Sequence, residues 1–244
     1  MRNLRLLLEY DGTDFHGFQR QRDLRTVQGV IESCFSRLLR EKIKITGAGR
    51  TDAGVHALGQ VVNFHSTRPI GVDRLGRVLN AALPDDVKVR ECEEVDAGFH
   101  SRRCARARTY RYTVIERPTP SPILGRFALV LPDRLDLAEM KAAAQPLLGR
   151  HDFRAFQASG SETATTERTL LRLDCRRRGE RIEIAVEADS FLYQMVRNIA
   201  AALIDVGRGR LSAGAVPEAL TKRERLPKCP PAPACGLCLV QVSY

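Results

Sequence analysis

The amino-acid sequence predicts an α+β fold, two similar mixed α/β halves with largely antiparallel sheets, divided into residues 1–105 and 106–244. Three observations predict it. Each half holds one strongly apolar stretch at helical spacing, Val27 to Leu39 in the first and Phe191 to Val206 in the second. Each also holds several short strand-like runs bounded by Gly, Pro and Asp turns. The strict strand–helix alternation of a parallel series is absent. At 244 residues the chain is long enough to bury a real core in one large domain or two ordinary ones.

The elements follow in order. Leu4, Leu6 and Leu8 alternate in the first strand, and Asp11-Gly12-Thr13 ends it with turn chemistry. Val27, Val30, Ile31, Cys34, Phe35, Leu38 and Leu39 form a helical face behind an N-cap at Thr26. Strands are expected at Ile43 to Thr46, Gln60 to His65 and Val87 to Glu93, with a helix from Asp73 between the last two. A strand from Thr109 to Ile115 runs into the Pro-rich turn Arg117 to Pro122. Asp136 and Glu139 make a capping pair for a helix ending at Gly149, with Pro146 inside it. Leu170 to Arg176 and Arg181 to Ala188 flank Arg178-Gly179-Glu180, a hairpin signal. Phe191, Met195, Ile199, Ala202, Leu203 and Val206 form the second buried helix, closed by Gly207 and Gly209, and a last strand covers Leu237 to Val242. The runs Ser159 to Thr169 and Lys228 to Pro233 read as surface loops.

Composition narrows the function classes. Lys plus Arg total 39 against 29 acids, a formal net charge of +10. Only six of the 39 are lysines, so arginine carries the excess. Its planar fork suits bidentate phosphate contacts and stacking on bases, which points to a polyanion such as RNA, although a GC-rich genome would inflate arginine in the same way. No stretch approaches the roughly 18 apolar residues of a membrane span, and Met1 to Tyr10 reads as a strand and not as a signal peptide. Seven cysteines scattered through the chain fit reduced thiols better than a disulfide frame, so a cytoplasmic location is expected. Cys229, Cys235 and Cys238 hold a Cys-x-x-Cys pair, yet a fourth ligand is not evident nearby, and neither a metal nor a cofactor is expected.

The segment Gly47-Ala48-Gly49-Arg50-Thr51-Asp52-Ala53-Gly54-Val55-His56 carries the chemistry. Its three glycines imply a tight loop that something approaches closely. Neither phosphate-loop pattern is present, and no helix follows to receive a phosphate at its N-terminus. What remains is a carboxylate displayed beside an arginine, or a tight hairpin with an incidental surface Asp.

The run Gly-Arg-Thr-Asp-Ala-Gly-Val-His resembles, residue for residue, the active-site motif of the tRNA pseudouridine synthase A family. Further segments match in order. Glu9-Tyr10-Asp11-Gly12 with Gly17-Phe18-Gln19-Arg20-Gln21 resembles the opening motif, although relatives often carry tryptophan where Phe18 stands. Phe99-His100-Ser101-Arg102 leading into Tyr110-Arg111-Tyr112 is similar to the central strand. Gly149 with Asp152-Phe153 and Phe156, and Phe191 with Met195-Val196-Arg197-Asn198, complete the set.

The resemblance implies the pseudouridine synthase fold, with the halves meeting at a central basic cleft. It implies a cofactor-free, homodimeric enzyme that isomerises uridine to pseudouridine at positions 38, 39 and 40 of the tRNA anticodon stem-loop. It makes Asp52 the nucleophile, Arg197 its cationic partner and Tyr110 the residue that packs on the target base. Arg50, His56, Phe191 and Leu237 become substrate contacts; Leu237 lies in Gly236-Leu237-Cys238-Leu239, where relatives usually have tyrosine in place of Cys238. A buried carboxylate is pushed toward its neutral form and an adjacent arginine restores the charge, so the Asp–Arg pairing is chemically apt. A base inside folded RNA must be flipped out at a cost of roughly a few kcal/mol, and stacking on Tyr110 returns about 1–3 kcal/mol. Strand alternation places Arg106, Arg108, Tyr110 and Tyr112 on one face, which reads as a groove meeting phosphate at one end and a base at the other. Arg20 and Arg22, in the loop Gln19 to Arg22, are the other expected RNA contacts, the alternative being a solvated charge run.

Overall fold

The computed structural model describes residues 1–160 and 163–244. In chain order its first elements are β1 (Arg2–Tyr10), α1 (Val27–Leu39), β2 (Thr46–Gly47), β3 (His56–Ser66), α2 (Val72–Ala82) and β4 (Val87–Val95). They are followed by β5 (Ala107–Glu116), β6 (Leu129–Leu131), α3 (Leu137–Ala144), β7 (Gly149–Asp152), β8 (Glu167–Arg178) and β9 (Arg181–Ala188). The last are α4 (Met195–Gly207), α5 (Ala215–Lys222) and β10 (Leu237–Ser243). The α+β class and the largely antiparallel character are as the sequence predicts; β1, β3 and β4 pair antiparallel, as do β5, β9, β8 and β7, while the short β6 pairs in parallel with β5.

The chain divides into two compact units, Met1–Arg106 with Leu239–Tyr244, and Ala107–Cys238. The last six residues therefore group with the first unit, a correction to the reading that placed everything after residue 105 in the second half. The cause is local. β10 lies beside β3, and a Cβ on Gly59 of β3 would sit 2.2 Å from the Val240 carbonyl oxygen, so only glycine admits the strand this closely.

In unit 1, β1 is flanked antiparallel by β3 and β4, with Leu6 opposite Val62 on one side and Cys92 on the other. Leu4, Leu6 and Leu8 are buried, as the alternation requires. Thr26 caps α1 by accepting the Gly29 amide, and the helix buries Val27, Ile31, Phe35 and Leu39, with the Phe35 ring 5.7 Å from Phe64 of β3. α2 starts one residue before Asp73 and buries Leu75 and Leu79. The strand expected at Ile43 to Thr46 shrinks to Thr46–Gly47. Ile43 N–H bonds Ser36 Oγ and Ile45 N–H bonds Glu32 Oε1, so side chains of α1 take the donors a strand ladder would use.

In unit 2 the sheet order is β5-β9-β8-β7. The β8–β9 hairpin closes at Arg178 opposite Arg181 around Gly179, whose φ of +61° suits the turn. Asp136 caps α3 by accepting the Ala138 and Glu139 amides, but the helix stops at Ala144 and not at Gly149. Pro146 brings no N–H, and Gln145–Leu147 tighten into a single 3-10 turn. α4 is buried on nearly every side and meets α3 where a Cβ on Gly207 would lie 2.9 Å from the Met140 thioether. β7 and α5 have no counterpart in the sequence reading. Of the loop expected at Ser159 to Thr169, residues 161 and 162 lie outside the described residues, and 167–169 already belong to β8.

Candidate active site

The Asp52 loop is held by the segment just after β1, and two of the sequence motifs thereby become one structural unit. Phe18 N–H donates to the Thr51 carbonyl at 2.9 Å and Gly54 N–H to the Phe15 carbonyl at 3.2 Å. The Tyr10 and Thr51 hydroxyls share a buried hydrogen bond of 2.8 Å. Within the loop, Val55 N–H turns back to the Asp52 carbonyl, and Ala48 N–H reaches the Val61 carbonyl.

The glycines explain why the approach is so close. A Cβ on Gly12 would stand 2.0 Å from the Val55 carbonyl oxygen, and one on Gly47 would stand 2.5 Å from the Phe18 ring. Gly17, with φ +90°, turns its backbone against Thr51 and Asp52. Asp52 is consequently half-buried on a backbone fixed from two sides, while Arg50 projects into solvent.

His56 ends the loop as the first residue of β3 and is 5% exposed. Its Nδ1 accepts the Gly12 amide at 3.1 Å. A nitrogen accepting that hydrogen has no proton for Asp11, whose carboxylate stands 3.2 Å away and takes the Thr13 N–H and hydroxyl. His56 Nδ1 thereby ties the loop to the Gly12 backbone. His100 behaves alike, accepting the Arg102 and Arg103 amides and stiffening an exposed arginine turn that the sequence reading did not single out.

Tyr110, Phe191, Arg197 and Leu237 belong to unit 2. Tyr110 is 8% exposed and meets Phe191 edge to face, with ring centroids 5.2 Å apart. Arg197 lies in the first turn of α4, where its Nε donates to the Ala232 carbonyl at 2.7 Å and its own carbonyl accepts the Ala232 amide. That reciprocal pair fixes the side chain's stem. The turn before α4 is strained: Gln194, a non-glycine, has φ +56°, and its carbonyl accepts the amide of Asn198, whose buried side chain donates to Phe156 O. Leu237 is buried at the start of β10.

The face shared by Arg106, Arg108, Tyr110 and Tyr112 is not the open groove the alternation implied. Tyr112 is fully buried, its ring pressed against Gly236 and its hydroxyl donating to Pro233 O at 2.9 Å. Burial pushes that hydroxyl well above the ordinary phenol range. Arg108 is half-buried and donates to Asp189 O at 2.7 Å, and Arg106 is exposed. Of the other basic candidates, Arg22 is almost wholly exposed beside Asp23, and Arg20 pairs with the buried Glu32.

The cysteines do not gather. Among the described residues no group of three or more His, Cys, Asp or Glu side chains is placed to hold a metal. Burial pushes the Cys229 thiol up to about 11 and raises that of Cys235, which holds both in the protonated, weakly nucleophilic form at neutral pH. No helix among the described residues is long and apolar enough to cross a membrane.

Comparison with known proteins places this geometry. The family model described as tRNA pseudouridine synthase matches residues 7–102 and 143–244. A protein of Acetivibrio thermocellus named tRNA pseudouridine synthase A is 42% identical over 244 residues, covering 100% of both chains. Its namesake in Ruminiclostridium cellulolyticum is 41% identical over 245 residues, again across 100% of both. Among solved structures, the archaeal box H/ACA sRNP Nop10-Cbf5 complex aligns over 83% of this chain and 44% of that one, at 13% identity and a TM-score of 0.34. The two matched blocks include the clamped Asp52 loop, Phe191 and Arg197, and with full-length identity above 40% the chain belongs to the tRNA pseudouridine synthase family, whose members are isomerases.

Proposed function

We propose that this enzyme isomerises uridine to pseudouridine at positions 38, 39 and 40 of the tRNA anticodon stem-loop, with Asp52 as nucleophile and the target base flipped out of its stack. The observation that carries this reading is the clamped Asp52 loop, a half-buried carboxylate on a backbone fixed by Phe18, Phe15 and the Tyr10–Thr51 bond. Catalysis by a preset charged group depends on such fixing, since no energy is then spent on reorganisation during the reaction.

In the reaction the N1–C1′ bond breaks, the uracil turns, and C5 bonds to C1′ while its proton leaves and N1 gains one. Atoms and electrons balance without a redox partner. The ionised carboxylate serves each of the three routes open to it: attack at C1′, attack at C6, or assistance in removing the C2′ proton. Positive character at the sugar during cleavage is stabilised by a nearby carboxylate, as in glycoside hydrolysis.

The resemblance assigns Arg50 and His56 to the substrate beside the nucleophile loop, and it assigns Tyr110, Phe191, Arg197 and Leu237 to the substrate or the chemistry. Tyr110, buttressed edge-on by Phe191, supplies the stacking surface. Arg197, its stem fixed by Ala232, is the cationic partner that the resemblance assigns to Asp52. Arg20, Arg22, Arg106 and Arg108 contribute phosphate contacts. By family resemblance the enzyme is a cytoplasmic homodimer that shares one tRNA between subunits.

Tritium release from C5-labelled uridine in tRNA transcripts tests the proposal. Asp52→Asn is expected to lower turnover by about 10⁴-fold or more while retaining tRNA binding. Release surviving that substitution rejects the nucleophile assignment, and release from transcripts lacking uridine at 38–40 rejects the target positions.

A further inference from the structure

We propose that unit 1 carries a second RNA contact, a groove between α1 and the 42–44 segment that takes a backbone phosphodiester of the tRNA away from the target uridine; this rests on RNA being the substrate. The groove has a volume of about 460 Å³, and its lining includes Arg20, Glu32, Ser33, Ser36, Lys42 and Lys44. Three cations thus face one carboxylate, and that carboxylate is already occupied. Glu32, with its side chain 5% exposed, accepts the Ile45 amide at 3.1 Å, Gln28 Nε2 at 2.9 Å and Arg20 Nη1 at 3.0 Å. It fixes Arg20 at the rim, where the 64% exposed side chain leaves further guanidinium donors facing solvent.

Lys88 and Lys222 are paired with Asp85 and Glu218. Like Lys141 and Lys228, Lys42 and Lys44 are exposed and, among the described residues, outside any ion pair; what distinguishes them is their place together beside the groove. Ile43 and Ile45 between and beyond them are buried, and their amides are held by Ser36 Oγ and Glu32 Oε1. This in–out alternation turns both lysines outward on a segment pinned by α1, although no strand ladder runs there.

A second groove, of about 320 Å³, is lined by the same two lysines together with Met1, Glu41 and His65. Glu41 is likewise occupied, by the Ser66 and Thr67 hydroxyls and the Thr67 amide. A positive ridge shared by both grooves, with hydroxyl donors beside it, suits an extended phosphodiester chain more than a compact anion. Apart from Met1 no exposed large apolar side chain lines either groove, which disfavours a protein partner.

The test is equilibrium binding of a tRNA transcript at several salt concentrations, in an Asp52→Asn background so that no turnover intervenes. Lys42→Ala/Lys44→Ala is expected to weaken binding roughly tenfold at low salt and to lower the slope of log affinity against log salt by about one to two. Lys88→Ala and Lys222→Ala, at lysines that line neither groove, should keep the parent slope. The proposal is overturned if the double variant matches the parent in affinity and slope, if the two control variants lose as much, or if affinity falls at unchanged slope with a lowered Tm. Because the assay needs no catalysis, a wrong nucleophile assignment would show in tritium release and leave this result intact.

Discussion

Tyr110 shows how one side chain's packing limits what it can do. Its ring is nearly enclosed, with Phe191 standing edge-on against it, so the phenol is held at one angle. Stacking depends on the ring and proton transfer on the hydroxyl, and the two roles separate by substitution. Tyr110→Phe is expected to keep tRNA affinity within about twofold, whereas Tyr110→Ala should weaken it by about 1–3 kcal/mol. Filter binding reads both, and equal losses for the two variants would move the role from ring to hydroxyl. The tight turn of the Asp52 loop, by contrast, was legible in the sequence from its glycine spacing. What the sequence left hidden is why the glycines are needed: Gly12 and Gly47 make room for the Val55 carbonyl and the Phe18 ring, partners distant in the chain.

Elements with clean apolar periodicity were readable, and those held together by polar side chains were not. β1 and α1 follow from alternation and a Thr cap. The segment from Ile43 to Thr46 reads as a strand in the sequence, but the Ile43 and Ile45 amides are captured by Ser36 and Glu32, a competition no local pattern reveals. α5 escaped notice because Pro217 sits in its first turn, where a missing N–H costs nothing. A polar tie also joins β5 to β8. Glu116 accepts a bidentate pair from Arg177 at 2.8 and 3.0 Å and the Leu135 amide at 2.6 Å, with both side chains at most 22% exposed. Glu116→Gln removes the charge and leaves the guanidinium half-buried without its counter-ion. Destabilisation of about 2–4 kcal/mol is expected, seen as a lower urea midpoint at constant slope; an unchanged midpoint would refute it.

For the molecule as a whole, the charge decides how RNA is held. With a formal net of +10, binding rests largely on displacing counterions from phosphates. Affinity for a tRNA transcript should fall at least about tenfold between roughly 50 and 200 mM salt. A flat titration would mean that base contacts and not the backbone supply the affinity. The division of the chain was only partly readable at this scale. A break near residue 105 shows in the succession of apolar stretches, but nothing local to Leu239–Tyr244 announces that those residues rejoin the beginning.

That return has a consequence for biosynthesis. The strand that lies along Gly59 is translated after the 132 residues of the other unit. At ribosomal speeds of about 5–20 residues per second, the amino-terminal portion waits on the order of ten seconds for its final β-partner. During that interval the β3 flank is an open template for foreign strands. Completion of the first unit's sheet on the β3 side is thus timed by the arrival of residues 239–244.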